Sequence, residues 1–495
     1  MIPVDEVRDA AKLPRVLGPW GAFSAVVGSV IGSGIFLVPA AVANNVPFIG
    51  GIVLVWVIGG LFSGAGALTL AELGAMLPQA GGLYVFLRAA YGPLPAFLFG
   101  WVEFLVVRSG SMATLAAAFA QYFAHVVEAP RPIPARIWQA ATAVLAIAVV
   151  TTVNVLGTRR GGALQVVGTA LKVGGIAILI ALPFLVGGGS VSNLSPIWPT
   201  SQSSSAIFAG VMAAMVGVLW AYDGWSNVTP LAEEIRDPGK NIPFSLLFGM
   251  VVLIAAYLGM TVAYHYVLPM DEIRSASRDA EHFQKAVAAL YTERLLGWWG
   301  VLGISILVMC STFIALNGNA LAGPRAYFAM ARDGLFPAAL CRVHPKFQTP
   351  ANAIISQGTL AIFLIVAGTF LIMVPPTGWE QTLPSLVLAA WKTLNETPLY
   401  DVLYTYVIFG AHIFYMLAIA SVFVLRVRRP DLPRPYRTLG YPVTPLLFVA
   451  AELLLLGNML YDPRSRVPSL VGLGIVLAGV PAYAFFRRTP PEKIG

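Results

Sequence analysis

Charge is scarce in this chain of 495 residues: Asp, Glu, Lys and Arg make up 11%, where soluble domains carry about 25%. That shortage excludes an ordinary water-facing surface. Cysteine is nearly absent as well. Cys310 and Cys341 are the only two, too few for a disulfide framework or a thiolate metal site, and one reads as mid-span and the other as a loop residue. The five histidines, His125, His265, His282, His344 and His412, are scattered, with no HExxH or similar pattern. No Ser/His/Asp set suggests itself within the apolar segments, so an enzyme is not expected, nor any metal or cofactor. A channel would need a repeated filter or rings of charge, and neither is seen. A cleavable leader is not evident either: the first apolar run starts near Val16, after Arg8, Lys12 and Arg15, and is far longer than an h-region.

What the chain has in excess is apolar sequence, 58% hydrophobic residues with a mean hydropathy of +0.78. A membrane-spanning helix takes about 20 mostly apolar residues. Twelve such runs lie near residues 16–43, 48–76, 94–126, 136–156, 162–187, 207–234, 243–268, 296–331, 351–374, 401–427, 441–461 and 468–487. One integral membrane domain over 1–495 follows, with a polar segment at 1–15 and a tail at 488–495. With the N-terminus inside, the inward connections hold more than twice the Lys and Arg of the outward ones, which puts both termini in the cytoplasm and explains the net charge of +8. Three connections are long. Pro269 to Arg294 has a helical charge pattern that predicts short interfacial helices. Pro375 to Tyr400, with Trp379 and Trp391, is a segment that can fold over the outer mouth. The arginine-rich, proline-broken stretch Arg426 to Tyr441 suits an anionic inner leaflet.

Two spans are interrupted. The first carries Val27-Gly28-Ser29-Val30-Ile31-Gly32-Ser33-Gly34, a poor continuous helix because each glycine costs up to about 1 kcal/mol against alanine. Close packing through Gly28 and Gly32 is the competing explanation. The sixth carries Trp220-Ala221-Tyr222-Asp223-Gly224-Trp225-Ser226, and an aspartate in an apolar run is expensive unless it faces a cavity or a partner. Interruptions in corresponding spans of two halves point to a transport site at an inverted-repeat interface. Broken ends also have polarity. Carbonyls are freed near Val30, Ile31 and Trp220, amides near Ser33 and Gly34. Carbonyls suit an ammonium and a helix N-terminus suits a carboxylate. An α-amino acid carries both.

The same residues carry a resemblance. Gly32-Ser33-Gly34-Ile35-Phe36, the Gly81-Gly82-Leu83-Tyr84 to Tyr91-Gly92 loop, Glu103 to Arg108, Ala221 to Trp225, Glu233 to Pro238 with Asn241-Ile242-Pro243, and Arg325 to Gly334 together resemble the L-type amino acid transporter family of the amino acid–polyamine–organocation superfamily. The resemblance implies an all-α LeuT-type fold with discontinuous helices 1 and 6: a first repeat over about 16–187, a second over about 207–427, and two helices appended over about 441–487. It implies that Ser33 and Gly34 hold the substrate carboxylate. The carbonyls of Val30, Trp220 and Asp223 receive the ammonium, Trp220 closes over the substrate, and Ile31, Gly32, Ala221, Gly224 and Ser226 complete the site. Asp223 either faces water, pairs with Lys172 or approaches the ammonium.

Lys172 lies deep in the fifth span, too far from Gly162 to snorkel easily. The family resemblance places a lysine where sodium-coupled relatives of the fold bind an ion. That implies sodium independence with obligatory exchange or facilitated diffusion in a cell membrane, exchange being the expectation. Neutral amino acids are expected because no second acidic group is obvious near the site. The alternative is that Lys172 carries a proton and the chain is a proton symporter; a sensor with the same pocket is the third reading. Glu103 and Arg108, five apart, do not share a face of an α-helix, so each is expected to find a partner on another helix. Glu233 and Glu234 are interfacial or belong to an inner gate. Mammalian members join a heavy subunit through a cysteine between the third and fourth spans. His125 to Arg136 has none, so no disulfide-linked heavy subunit is expected.

Overall fold

The computed structural model describes residues 12–199, 203–276, 286–373, 399–461 and 463–488. Twelve of its helices are long and apolar enough to cross a membrane: α1 Pro19–Leu37, α2 Ile49–Met76, α3 Pro93–Val126, α4 Ala135–Val155, α5 Thr158–Val186, α6 Ser204–Val228, α7 Pro238–Val267, α8 Trp298–Arg332, α9 Ala351–Phe370, α10 Phe409–Arg428, α11 Val443–Tyr461 and α12 Ser465–Arg487. No strand occurs among the described residues. Large apolar side chains such as Leu145, Leu171, Ile178, Phe363 and Leu454 are more than half exposed, as a lipid-facing surface requires.

Prolines set several starts. Pro19, Pro93 and Pro238 each occupy the first turn of a helix, where the missing N–H has no partner to lose. Pro324 instead divides α8 into Trp298–Ala322 and Pro324–Arg332, because its ring cannot continue the hydrogen-bond ladder. Spans five apart in sequence pack together: α2 on α7, α3 on α8, α4 on α9, and the first half of α1 on the end of α6. An inverted repeat produces these pairings about its pseudo-two-fold axis. α10 lies against both appended helices, α11 and α12.

The connection after α7 forms two short helices, Met270–Ser275 and Val287–Leu296, as the charge pattern predicts. The segment expected to cover the outer mouth lies almost wholly outside the described residues, as do the first eleven residues and the last seven. The arginine-rich stretch differs from expectation. Arg426 forms a two-pronged pair with the fully buried Glu72, at 2.9 and 2.6 Å, and stacks on the Tyr441 ring at 3.6 Å. Arg434 donates to the carbonyls of Leu425 and Arg429 at the end of α10. Two of the arginines read as lipid contacts therefore tie the stretch to the helices instead. Cys310 and Cys341 are both free thiols.

Candidate functional site

Both interruptions are real breaks in the backbone. The first half of α1 ends at Val30 and the helix restarts at Gly34. Between them the Gly32 amide turns back to Val30 O at 2.7 Å, which deprives Gly28 O of its normal helical donor. Gly34 and Ile35, in the first turn of the second half, have no helical acceptor for their amides. In α6 the helix ends at Tyr222, Gly224 takes φ +107°, and Trp225–Val228 is a 3-10 turn. The second half of this span is thus shorter and tighter than the continuous run to residue 234 suggested.

The breaks meet backbone to backbone, and glycine is what permits it. A Cβ on Gly34 would lie 2.7 Å from Ala221 Cα. One on Gly224 would sit 3.3 Å from the backbone of Ser29, besides being strained by the positive φ. The packing explanation holds for Gly28, whose Cβ would collide with Thr169. Gly32 has ordinary room beside Leu115 and Ala315.

Between the breaks is a cavity of about 40 Å³, room for little more than a water molecule and less than an amino acid needs. Val30, Gly32, Ser33, Gly34, Trp220, Asp223 and Gly224 line it. The other three expected site residues stand behind its wall. Ile31 is fully buried and its carbonyl accepts from Lys172 and Ser311. Ala221 backs Gly34, and Ser226 lies 3.4 Å from the Tyr415 hydroxyl. Ser29 of α1 lines it too, helix α3 adds Val107, Arg108, Ser111 and Leu115, and Asn227 and Asn319 complete the lining.

Lys172 is fully buried. Its ammonium donates to Gly28 O at 2.7 Å, to Ile31 O, and to Ser311 O at 3.1 Å. Three protons meet three carbonyls, two of them at the α1 break, in the manner of a coordinated monovalent cation. The pairing with Asp223 left open by the sequence does not form. Asp223 accepts from the Tyr415 hydroxyl at 2.8 Å.

Glu103 departs from the expectation that each of Glu103 and Arg108 pairs on another helix, whereas Arg108 meets it in part. Residues Glu103–Arg108 form a π-helical segment, whose i→i+5 spacing brings them together, and Arg108 Nε donates to Glu103 at 2.5 Å. Arg108 also donates to Asn227 Oδ1, and to Asn319 Oδ1 at 3.2 Å. The sequence reading missed Tyr257 and Ser311. The Tyr257 hydroxyl lies 3.2 Å from Val30 O and 2.8 Å from Ala221 O, joining the first halves of α1 and α6. The Ser311 hydroxyl lies 2.9 Å from both Ile31 O and Gly32 O. Their only signal was a polar group in an apolar span.

At the end of the bundle that carries the chain's N-terminal segment, ion pairs join the helices. Glu234 and Arg325, both fully buried, pair at 2.7 Å, and Arg325 reaches Thr158 Oγ1 at 2.9 Å. Glu233 accepts from the amides of Leu13 and Ala80 and from Arg332. Arg88 pairs with Asp333, which also accepts from the Tyr84 hydroxyl at 2.9 Å. Burial, with Asp333 alongside, pushes the Tyr84 phenol well above its ordinary range and keeps it a donor. Beside these pairs is an open cavity of about 800 Å³, lined by Lys12, Arg15, Arg88, Glu233, Arg332 and Asp333 among others. Among the described residues no group of His, Cys, Asp and Glu is arranged to hold a metal ion.

A family model described as amino acid permease matches residues 17–480. The chain is 30% identical over 480 residues to the mouse b(0,+)-type amino acid transporter 1, covering 96% of this chain and 88% of that one. It is 29% identical to the serine/threonine exchanger SteT of Bacillus subtilis (strain 168), covering 96% and 98%. It is 30% identical to the rabbit large neutral amino acids transporter small subunit 2, covering 95% and 80%.

Proposed function

The chain belongs to the amino acid permease family, and on that premise we propose that it exchanges neutral L-amino acids across the cell membrane without sodium. One observation carries the reading: a single cavity faces the carbonyl end of one half-helix and the amide start of another. The substrate ammonium lies toward the carbonyls of Val30 and Trp220, its carboxylate toward Ser33 and Gly34. Ile31, Ala221 and Ser226 shape the wall from behind, and Trp220 is the gate on the side away from the termini. A neutral substrate suits a lining whose charged members, Asp223 and Arg108, are one of each sign.

Lys172 supplies the charge that a bound cation would bring, and its three carbonyl contacts support that role. In this reading both termini are cytoplasmic, the Glu233 and Glu234 ion pairs form the inner gate, and the chain works without a disulfide-linked heavy subunit. Substrate entry needs the walls of the small cavity to part, and the inner gate opens in the alternate state.

Counterflow in proteoliposomes tests this. Labelled neutral amino acid should enter only vesicles preloaded with substrate, equally in sodium or choline buffer, and a competition panel of twenty amino acids should rank neutral ones first. Uptake driven by a proton gradient into empty vesicles would replace exchange with proton symport. Binding without any counterflow would make the chain a sensor.

A further inference from the structure

Glu452 is the only charged residue of α11, an appended helix whose neighbouring Leu453 and Leu454 are exposed apolar side chains. It is fully buried. An ionisable group at such depth points to a function shared with its partner, and here the partner is His412 of α10. Both Glu452 carboxylate oxygens lie 2.9 Å from His412 Nδ1, which fixes the orientation of the imidazole.

The imidazole in turn forms a wall for Tyr415, one turn along α10. The two rings meet edge to face with centroids 5.5 Å apart, and Trp225 also packs on the phenol, tilted, at 5.6 Å. The Tyr415 hydroxyl reaches Asp223 Oδ1 at 2.8 Å, and Asp223 lines the cavity. Contacts therefore run without a gap from an appended helix to the α6 break. The other charged groups around this end of the cavity, Arg108 and Glu103 on α3, are paired with each other.

We propose that Glu452 and His412 are positioning residues for the substrate cavity, acting through Tyr415 to set the carboxylate of Asp223. The inference rests on the cavity between the breaks being the substrate site. It gives α11 a part in substrate affinity, although no residue of α11 lines the cavity.

The test is substrate affinity and maximal exchange rate, measured by counterflow and normalised to reconstituted protein. Tyr415→Phe comes first. An unchanged KM there would overturn the reading of Asp223 as part of the site, and the proposal with it. Given a raised KM, Glu452→Gln and His412→Gln should each raise KM roughly three- to thirtyfold with the maximal rate within about twofold. In the Tyr415→Phe background they should add nothing further. A lower rate at unchanged KM, or effects that multiply with Tyr415→Phe, would mean that the pair is merely structural. Should a single variant fail to fold, the double variant His412→Phe/Glu452→Leu removes both buried polar groups at once. It should still show the raised KM, and a wild-type KM there overturns the proposal.

Discussion

Replacing Lys172 by methionine keeps an unbranched side chain in the same space and removes only the ammonium. Three carbonyls then lose a donor. Ile31 O retains the Ser311 hydroxyl at 2.9 Å. Gly28 O is worse placed, because the Gly32 amide has turned to Val30 O, and an orphaned buried carbonyl costs about 1–3 kcal/mol. Each of the other two losses costs about 0.5–1.5 kcal/mol. The sum, about 2–6 kcal/mol, falls on the joint between α1, α5 and α8. Lys172→Met should lower the thermal unfolding temperature of detergent-solubilised protein and abolish counterflow at matched reconstitution. Lys172→Ala opens space beside the same carbonyls, so sodium should stabilise this variant and not the wild type. Wild-type stability and exchange in Lys172→Met would refute the account, since no donor would then be needed at those carbonyls.

Gly34→Ala must push Ala221 away from 2.7 Å, a strain of about 1–3 kcal/mol, and should reduce exchange more than about tenfold. Gly32→Ala meets only ordinary contacts and should match the wild type in thermal unfolding. Arg325→Met leaves Glu234 buried and unpaired, which should cost about 3–5 kcal/mol; the double variant Arg325→Met/Glu234→Leu should recover most of that loss in the same unfolding assay. Glu103→Gln weakens the charge pairing of Arg108 and should raise KM for neutral substrates, and an unchanged KM would separate the π-helical segment from substrate binding.

The twelve spans were legible because lipid imposes a length and an apolar composition that soluble packing does not. The two breaks were legible for a related reason: Gly-Ser-Gly and Asp-Gly at mid-span are too unfavourable as plain helix to be incidental. Lys172 stood out on the same ground. The π-helical segment was not legible. Nothing in Glu103 to Arg108 distinguishes i→i+5 from i→i+4 hydrogen bonding, and the pairing rule for an ordinary helix therefore misled. Tyr257, Ser311 and Tyr415 were hidden among the many single hydroxyl groups of apolar spans, where only a neighbour's open carbonyl or carboxylate assigns a role.

The sequence by itself determined the solvent, the number of crossings and the depth at which the chain breaks, since each is a local sum of transfer and propensity terms. Tertiary structure alone decided which freed carbonyl answers which donor. It gave Gly28 O to Lys172 and Val30 O to Tyr257, and turned Asp223 toward Tyr415, because those choices depend on distances of 2.7 to 3.2 Å between helices far apart in the chain.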